Sequence, residues 1–252
     1  MNTHGKVQVL PGQAEVARLN ETIRLTWASL PMRLVVRGSS PALDRTDRWI
    51  HERRFWDDGL RLVAGIDEVG RGPLAGPVVA VAVILSDDFE DPGVHDSKML
   101  SHAERLTLFP AIASQTLCWG VGLVAPAEID RINILQATFL AMRRALEQLS
   151  VSPDAVLVDG KSHIPELVCP QRAIIRGDSE SISIGAASIL AKEIRDRIME
   201  EYDVAYPGYG FARHKGYATP EHHDALGRLG PSPIHRRSFA PVREWRQKSL
   251  DL

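Results

Sequence analysis

The chain reads as an α/β protein with a mixed β-sheet flanked by helices. Three observations carry that expectation. Short β-branched runs bounded by turn residues recur at 62–69, 78–85, 116–124, 155–158 and 173–175. The early strands follow one another closely, whereas the later ones alternate with segments of helical period, which indicates strands of mixed direction. Acidic residues sit within or at the ends of these apolar runs, at Asp67, Glu68, Asp159 and Asp178.

Taken in order, residues 1–58 read as an N-terminal extension, partly helical or flexible, and residues 59–252 as the main domain. Residues 13–30 suit a modest helix, and Arg37-Gly38-Ser39-Ser40-Pro41 a linker. Residues 44–58 are charged and aromatic, with Trp49, Phe55 and Trp56 on one helix face. The segment LVAGIDEVGRGPLAGPVVAVAVIL, residues 62–85, then organises the rest. Adjacent carboxylates inside a buried strand are costly without a partner. Side chains that neighbour in a strand point to opposite faces, so Asp67 and Glu68 share an ion only if the backbone bends, and Gly70-Arg71-Gly72-Pro73 supplies a bend. Ser101-x-x-Glu104 is a capping box opening a helix to about Ala113. Thr116 to Val124 follows as a strand, and Pro126 to Leu149 as one or two amphipathic helices. The strands near 155–158 and 173–175 end at Asp159-Gly160 and Arg176-Gly177-Asp178, and a long helix is expected from about Ser179 to Tyr202.

Composition narrows the class. Of 252 residues, 44% are hydrophobic and 25% charged, with a formal net charge of -2. That is ordinary globular composition without a whole-chain basic signal, which leaves room for local basic patches. The two cysteines, Cys118 and Cys169, sit in apolar segments and read as buried thiols rather than a disulfide or metal pair. Charged residues interrupt the N-terminus where a signal peptide needs an apolar core, and Ala75 to Leu85 is too short to span a membrane. A soluble cytoplasmic monomer is the expectation. Two nucleotide motifs are excluded. The Gly65 to Gly70 spacing matches a phosphate loop, but Arg71-Gly72 stands where Lys-Ser/Thr is required. Gly70, Gly72 and Gly76 are one residue too widely spaced for a dinucleotide fingerprint and lead into a strand.

A set of acids at strand ends suits a divalent cation, because like charges at close range otherwise force one group to keep its proton. Oxygen ligands without a His/Cys set favour Mg²⁺ or Mn²⁺ over Zn²⁺. One or two such ions point to metal-assisted phosphodiester hydrolysis. Each acid alone reads as an ordinary cap or turn residue, Asp178 at a helix N-terminus and Asp159-Gly160 as a turn pair. It is the set that argues for chemistry.

Asp67-Glu68-Val69-Gly70-Arg71-Gly72 resembles the signature of the type 2 ribonucleases H, the ribonuclease HII family. The resemblance extends in order along most of residues 62–242. Asp96-Ser97-Lys98, Ile129-Asp130 with Asn133-Ile134, Leu157-Val158-Asp159-Gly160 and Gly177-Asp178 followed by Ile184 to Lys192 are similar to its segments. So are Tyr209-Gly210-Phe211, His214-Lys215-Gly216-Tyr217 with Thr219 and His222, and Ile234-His235-Arg236 with Ser238-Phe239. The resemblance implies a ribonuclease H-like fold with a C-terminal helical substrate-binding part. It implies hydrolysis of the RNA strand of RNA/DNA hybrids, and nicking of duplex DNA 5′ of embedded ribonucleotides to leave 3′-OH and 5′-phosphate ends. Asp67, Glu68, Asp159 and Asp178 become the catalytic, metal-binding acids for Mn²⁺ or Mg²⁺. Gly70, Arg71 and Gly72 become the reader of the ribose 2′-hydroxyl, and Tyr217 the ring on the neighbouring deoxyribose. Lys98, Asn133, His214 and Lys215 complete the expected substrate contacts, and Arg236, Arg237, Arg243, Arg246 and Lys248 are further phosphate candidates.

Some positions depart from the family pattern: Arg176 replaces a usual lysine, Met99 a frequent second lysine and Gly185 a common alanine. Arg176 keeps the charge but not the geometry. The competing readings are a type 3 ribonuclease H, another nuclease of the same fold, a hybrid-binding module that does not cut, and a metal-dependent phosphomonoesterase. A binding module would lack an acid, and a phosphomonoesterase would have no use for Gly70-Arg71-Gly72 or Tyr217.

Overall fold

The computed structural model describes residues 47–86, 88–94 and 100–250, without the side chains of Arg246 and residues 248–250. The helix expected at 13–30, the linker at 37–41 and the Asp96-Ser97-Lys98 segment, with Lys98 and Met99, lie outside the described residues. So do the side chains of Arg246 and Lys248.

Five strands form one mixed sheet in the order β3-β2-β1-β4-β5. They are β1 Val63–Val69, β2 Val78–Leu85, β3 Thr116–Val124, β4 Ala155–Asp159 and β5 Gln171–Ile174. β1 pairs antiparallel with β2, and β2 with β3, while β4 runs parallel to both β1 and β5. The sheet is therefore mixed as expected. β1 and β2 are almost wholly buried and read as near-continuous apolar runs. The last strand ends at Ile174, earlier than its apolar run suggests, and Ile175 is 72% exposed. Arg176 follows with a left-handed φ of 59°, which turns the chain out of the sheet.

Helices cover both faces. α1 Ile50–Asp57 precedes the sheet, and α2 His102–Ala113 begins at Ser101 with the capping box intact. The region read as one or two helices is two, α3 Pro126–Ile132 and α4 Ile134–Glu147. Asn133, at φ 67°, separates them, and its side chain accepts the Leu135 and Gln136 amides to cap α4. Ala64, Ile66, Val78, Ala80 and Ala82 pack with Ala137, Ala141 and Met142 of α4 in the larger core. Gly120 and Gly122 let α4 lie against β3: an added Cβ at Gly122 would stand 1.8 Å from the Ala141 carbonyl oxygen.

The other face carries the long helix, and here the structure differs from the expectation. In place of one helix from Ser179 there are two, α5 Gly177–Glu180 and α6 Ile182–Ala205. Ser181 between them is extended, at φ −122°, and caps α6 by accepting the Ile184 amide. The α6 backbone lies directly on β1 because residue 65 is glycine. A Cβ there would meet the Ser183 carbonyl carbon at 2.3 Å. α7 Phe211–His214, α8 Pro220–Leu229 and α9 Ala240–Leu250 complete the C-terminal part.

Candidate active site

Asp67 and Glu68 lie near the end of β1, Asp159 ends the neighbouring β4, and Asp178 follows β5 in α5. Asp67 and Glu68 lie inside the β1 ladder, opposite Val81 and Ala80 of β2, so the bend comes after them, at Gly70 with φ 89°. Asp67 is buried. The Glu68 amide donates to its Oδ1 at 2.7 Å, and the Ser188 hydroxyl of α6 also bonds to the carboxylate. Burial, with Glu68 and Asp159 next in effect, nevertheless pushes the Asp67 carboxyl well above the usual range. Burial lifts Glu68 to about 6, with Asp159 adding to the rise and the Arg71 guanidinium, 3.2 Å from Oε1, opposing it. Asp67, Glu68 and Asp159 thus act on one another electrostatically despite the strand alternation. Asp159 is fixed at the β4 terminus by the Gly177 amide, which donates to its Oδ1 at 2.7 Å. That bond brings the start of α5 up to β4, and Asp178, 2% exposed, is the next residue in the chain.

The donor set is all carboxylate oxygen, which suits Mg²⁺ or Mn²⁺. Glu68 Oε2 is buried with no hydrogen-bond partner, an uncompensated lone-pair site of the kind a cation satisfies. Among the described residues no group of three or more His, Cys, Asp or Glu side chains forms a ready-made ion cage. An Mg²⁺-type site does not require one, because such ions keep waters and take only one or two carboxylates alongside substrate phosphate.

The Gly70-Arg71-Gly72 turn is held by buried Arg236, and the chain that follows it by buried Arg195. Arg236 donates to the Gly70, Arg71 and Gly76 carbonyls at 2.5, 2.8 and 2.8 Å. Arg195 of α6 donates to Pro77, Lys215 and Ala75 carbonyls at 3.0, 3.1 and 3.3 Å. Backbone bonds stitch the same turn to the C-terminal segment, from Leu74 to the Gly216 carbonyl, from Gly76 to Ile234 and from Arg236 to Leu74. Gly70 leaves no room for a side chain, since its Cβ would fall 2.1 Å from Arg195 Nε. Gly72 is open, and its nearest neighbour to an added Cβ is the half-exposed ring of Tyr217, at 3.7 Å. The Tyr217 ring and the turn are therefore neighbours.

Three buried histidines set the backbone under that ring. The Ser232 amide donates to His235 Nδ1 at 2.9 Å, which leaves the proton of a neutral His235 on Nε2. That nitrogen donates to His222 Nε2 at 3.0 Å, and His222 Nδ1 then donates to the Tyr217 carbonyl at 2.8 Å. Burial holds His222 down to about 4 and His235 to about 3, so both stay neutral near pH 7. His214 stacks on His222 at 4.5 Å; it accepts the Gly216 amide on Nδ1 and donates from Nε2 to Tyr209.

The structure gives His214 and Arg236 internal partners in place of the expected phosphates. His214 is buried with both ring nitrogens used, so it shapes the Gly216-Tyr217 loop from inside. Arg236 is fully buried and clamps carbonyls. The Lys215 ammonium is paired with Glu200 at 2.6 Å. Asn133 is exposed with its amide NH₂ outside the cap, and Arg71, Arg237 and Arg243 are exposed cations. Arg195, His222 and His235 as supports of the turn and the loop were not read from the sequence. Arg195 carried one signal: it lies seven residues after Ser188, on the α6 face that meets β1, where a charge is out of place without carbonyl partners.

Comparison with known proteins identifies the family. The family model described as Ribonuclease HII matches residues 64–242. Ribonuclease HII of Geobacter sulfurreducens is 58% identical over 196 residues, 78% of this chain and 90% of its own length. That of Syntrophotalea carbinolica is 54% identical over 194 residues, 77% of this chain and 92% of its own. Among solved structures, ribonuclease H2 from Pyrococcus horikoshii superposes with a TM-score of 0.65 at 28% identity, covering 75% of this chain and 99% of that one.

Proposed function

Because the chain belongs to the ribonuclease HII family, we propose that Asp67, Glu68, Asp159 and Asp178 hold one or two Mg²⁺ or Mn²⁺ ions for cleavage at an embedded ribonucleotide. The enzyme is a ribonuclease H, a hydrolase of the RNA strand in RNA/DNA hybrids, and the type 3 alternative is the weaker reading. The cations supply an activated water and charge neutralisation at the scissile phosphate. The protein's part is positioning. The glycine turn brings backbone amides close to a ribose 2′-hydroxyl, the group that separates RNA from DNA at one nucleotide. The Tyr217 ring packs on the next sugar, where a 2′-hydroxyl would crowd it. Arg71, Arg237 and Arg243 are the exposed cations we assign to phosphates, and Asn133, also exposed, is assigned a contact through its amide. Hydrolysis on the 5′ side of the ribonucleotide then leaves a 3′-hydroxyl and a 5′-phosphate. Substrates are RNA/DNA hybrid and duplex DNA containing ribonucleotides, and no described helix is long and apolar enough to cross a membrane.

The observation that carries the reading is the cluster of Asp67, Glu68 and Asp159 with the orphaned Glu68 Oε2, followed directly in the chain by the Gly70-Arg71-Gly72 turn. Asp67→Asn and Asp159→Asn are expected to abolish cleavage while duplex binding, read by fluorescence anisotropy, persists. Near-normal turnover by either folded variant would remove these acids from the chemistry.

A further inference from the structure

The segment ahead of the first strand reaches the acidic cluster from outside the span that the family model matches. Arg48 lies two residues before α1, and its guanidinium gathers four carbonyls. Nε donates to Ser179 at 3.1 Å, Nη2 to Asp178 at 2.7 Å and Ser181 at 3.2 Å, and Nη1 to Val94. Glu52 of α1 is 1% exposed, and its Oε1 accepts the Ser181 hydroxyl at 2.6 Å, the Ser183 hydroxyl at 2.6 Å and the Ser183 amide at 3.2 Å. The Ile182 amide closes the join by donating to the Arg48 carbonyl at 3.0 Å. Every one of these bonds except that to Val94 lands on residues 178–183, the stretch that carries Asp178, breaks the helix at Ser181 and starts α6.

We infer that Arg48 and Glu52 are positioning residues for Asp178. Arg48 holds the Asp178 and Ser181 carbonyls on one planar fork, and Glu52 fixes the Ser181 cap, so together they set the chain angle at which Asp178 meets the other acids. The arrangement explains why the helix expected from Ser179 is broken. A continuous helix would use the Asp178 and Ser179 carbonyls internally; here they face Arg48. Gly185 belongs to the same device, because a Cβ there would stand 2.5 Å from Arg48 Nη2 and 2.8 Å from the Asp178 carbonyl oxygen. The glycine at that position is thus matched to the arginine. Lysine at 48 cannot substitute, since one ammonium does not span carbonyls that a planar guanidinium bridges.

The inference rests on the assignment of Asp178 to the metal site, and the experiment separates the two. In the full chain, Arg48→Ala, Arg48→Lys, Glu52→Ala and Asp178→Asn are compared with wild type. Each is read by rate against Mn²⁺ concentration, by KM for a ribonucleotide-containing duplex, and by the rise in melting temperature on adding Mn²⁺ without substrate. Partners that orient a metal ligand change affinity or activity by about 10- to 100-fold when removed. The Mn²⁺ concentration for half-maximal rate should therefore rise about 10- to 100-fold in Arg48→Ala and Glu52→Ala. KM for the duplex should hold, the Mn²⁺-induced thermal shift should shrink, and Arg48→Lys should not restore either. A purely structural role would lower the melting temperature in chelator and leave the Mn²⁺ midpoint unmoved; that result overturns the inference. Where Arg48→Ala unfolds below the assay temperature, Arg48→Lys carries the same comparison. Wild-type Mn²⁺ dependence in Asp178→Asn would instead overturn the metal-site reading itself.

Discussion

Replacing Glu68 with glutamine should stabilise the metal-free enzyme while disabling it. The Glu68 carboxyl is lifted from its ordinary 4.5 to about 6, chiefly by burial, with Asp159 contributing and Arg71 opposing. The sign follows from the direction. A carboxyl that is harder to ionise in the folded state than in the unfolded one costs stability once both forms are ionised. The penalty is absent below about pH 4.5, grows between there and about 6, and is complete above. At about 1.36 kcal/mol per pH unit, the interval from 4.5 to about 6 is about 2 kcal/mol at pH 7.5. For a chain of this size 1 kcal/mol moves the melting temperature by about 2–4 °C, so Glu68→Gln should melt about 4–8 °C above wild type in chelator at pH 7.5. At pH 4 the difference should vanish. Adding Mn²⁺ should raise the wild-type midpoint more than that of the variant, because the ion binds the ionised carboxylate only. Calorimetry in chelator and in Mn²⁺ at the two pH values reads all of this. A variant that melts at or below wild type at pH 7.5 in chelator would refute the claim that Glu68 is strained by burial beside other acids.

The turn and the loop give further tests. Gly70→Ala combines a φ of 89° with a Cβ 2.7 Å from the Pro77 carbonyl oxygen and closer still to Arg195, so it should cost about 1–3 kcal/mol from backbone strain alone. Chemical denaturation measures that, and an unchanged midpoint would mean the turn relaxes freely. His222 and His235 should remain neutral well below the ordinary imidazole range, showing no ring-proton titration between pH 7 and 5 by NMR. Because their folded values lie below the unfolded one, their contribution to stability is present above about pH 6.5 and is lost as pH falls toward about 4 for His222 and about 3 for His235. Titration of either near 6.5 would break the proposed order of donors that ends at the Tyr217 carbonyl.

Much of the architecture was legible because it is local. Thr116–Val124 is bounded by its own apolar run, and the Ser101 capping box involves residues three apart. The break at Ser181 was not legible, because Arg48 and Glu52 compete for its carbonyls and hydroxyl from about 130 positions away. The acids at 67, 68, 159 and 178 stand out in the sequence because charge at the end of an apolar strand needs a reason, and Asp67, Glu68 and Asp159 do act on one another in the fold. Basic residues were read less well. Nothing local distinguishes Arg236, fully buried on three carbonyls, from Arg237 beside it, which is exposed. The internal partners of His214 were hidden for the same reason: a histidine in a glycine-rich loop serves phosphate or its own backbone equally well until the fold closes around it.

The central claim is that the acids and the glycine turn together cut at a ribose 2′-hydroxyl. The most direct measurement incubates the enzyme, with Mn²⁺ or Mg²⁺, on duplex DNA carrying one ribonucleotide and on the identical all-DNA duplex, and maps any nick to the nucleotide. The account predicts a single nick on the 5′ side of the ribonucleotide, with 3′-hydroxyl and 5′-phosphate ends, and no cleavage of the all-DNA duplex. Removing a hydroxyl that a polar site is built to bond costs orders of magnitude in rate. A nick on the 3′ side, or all-DNA cleavage at a comparable rate, would contradict it.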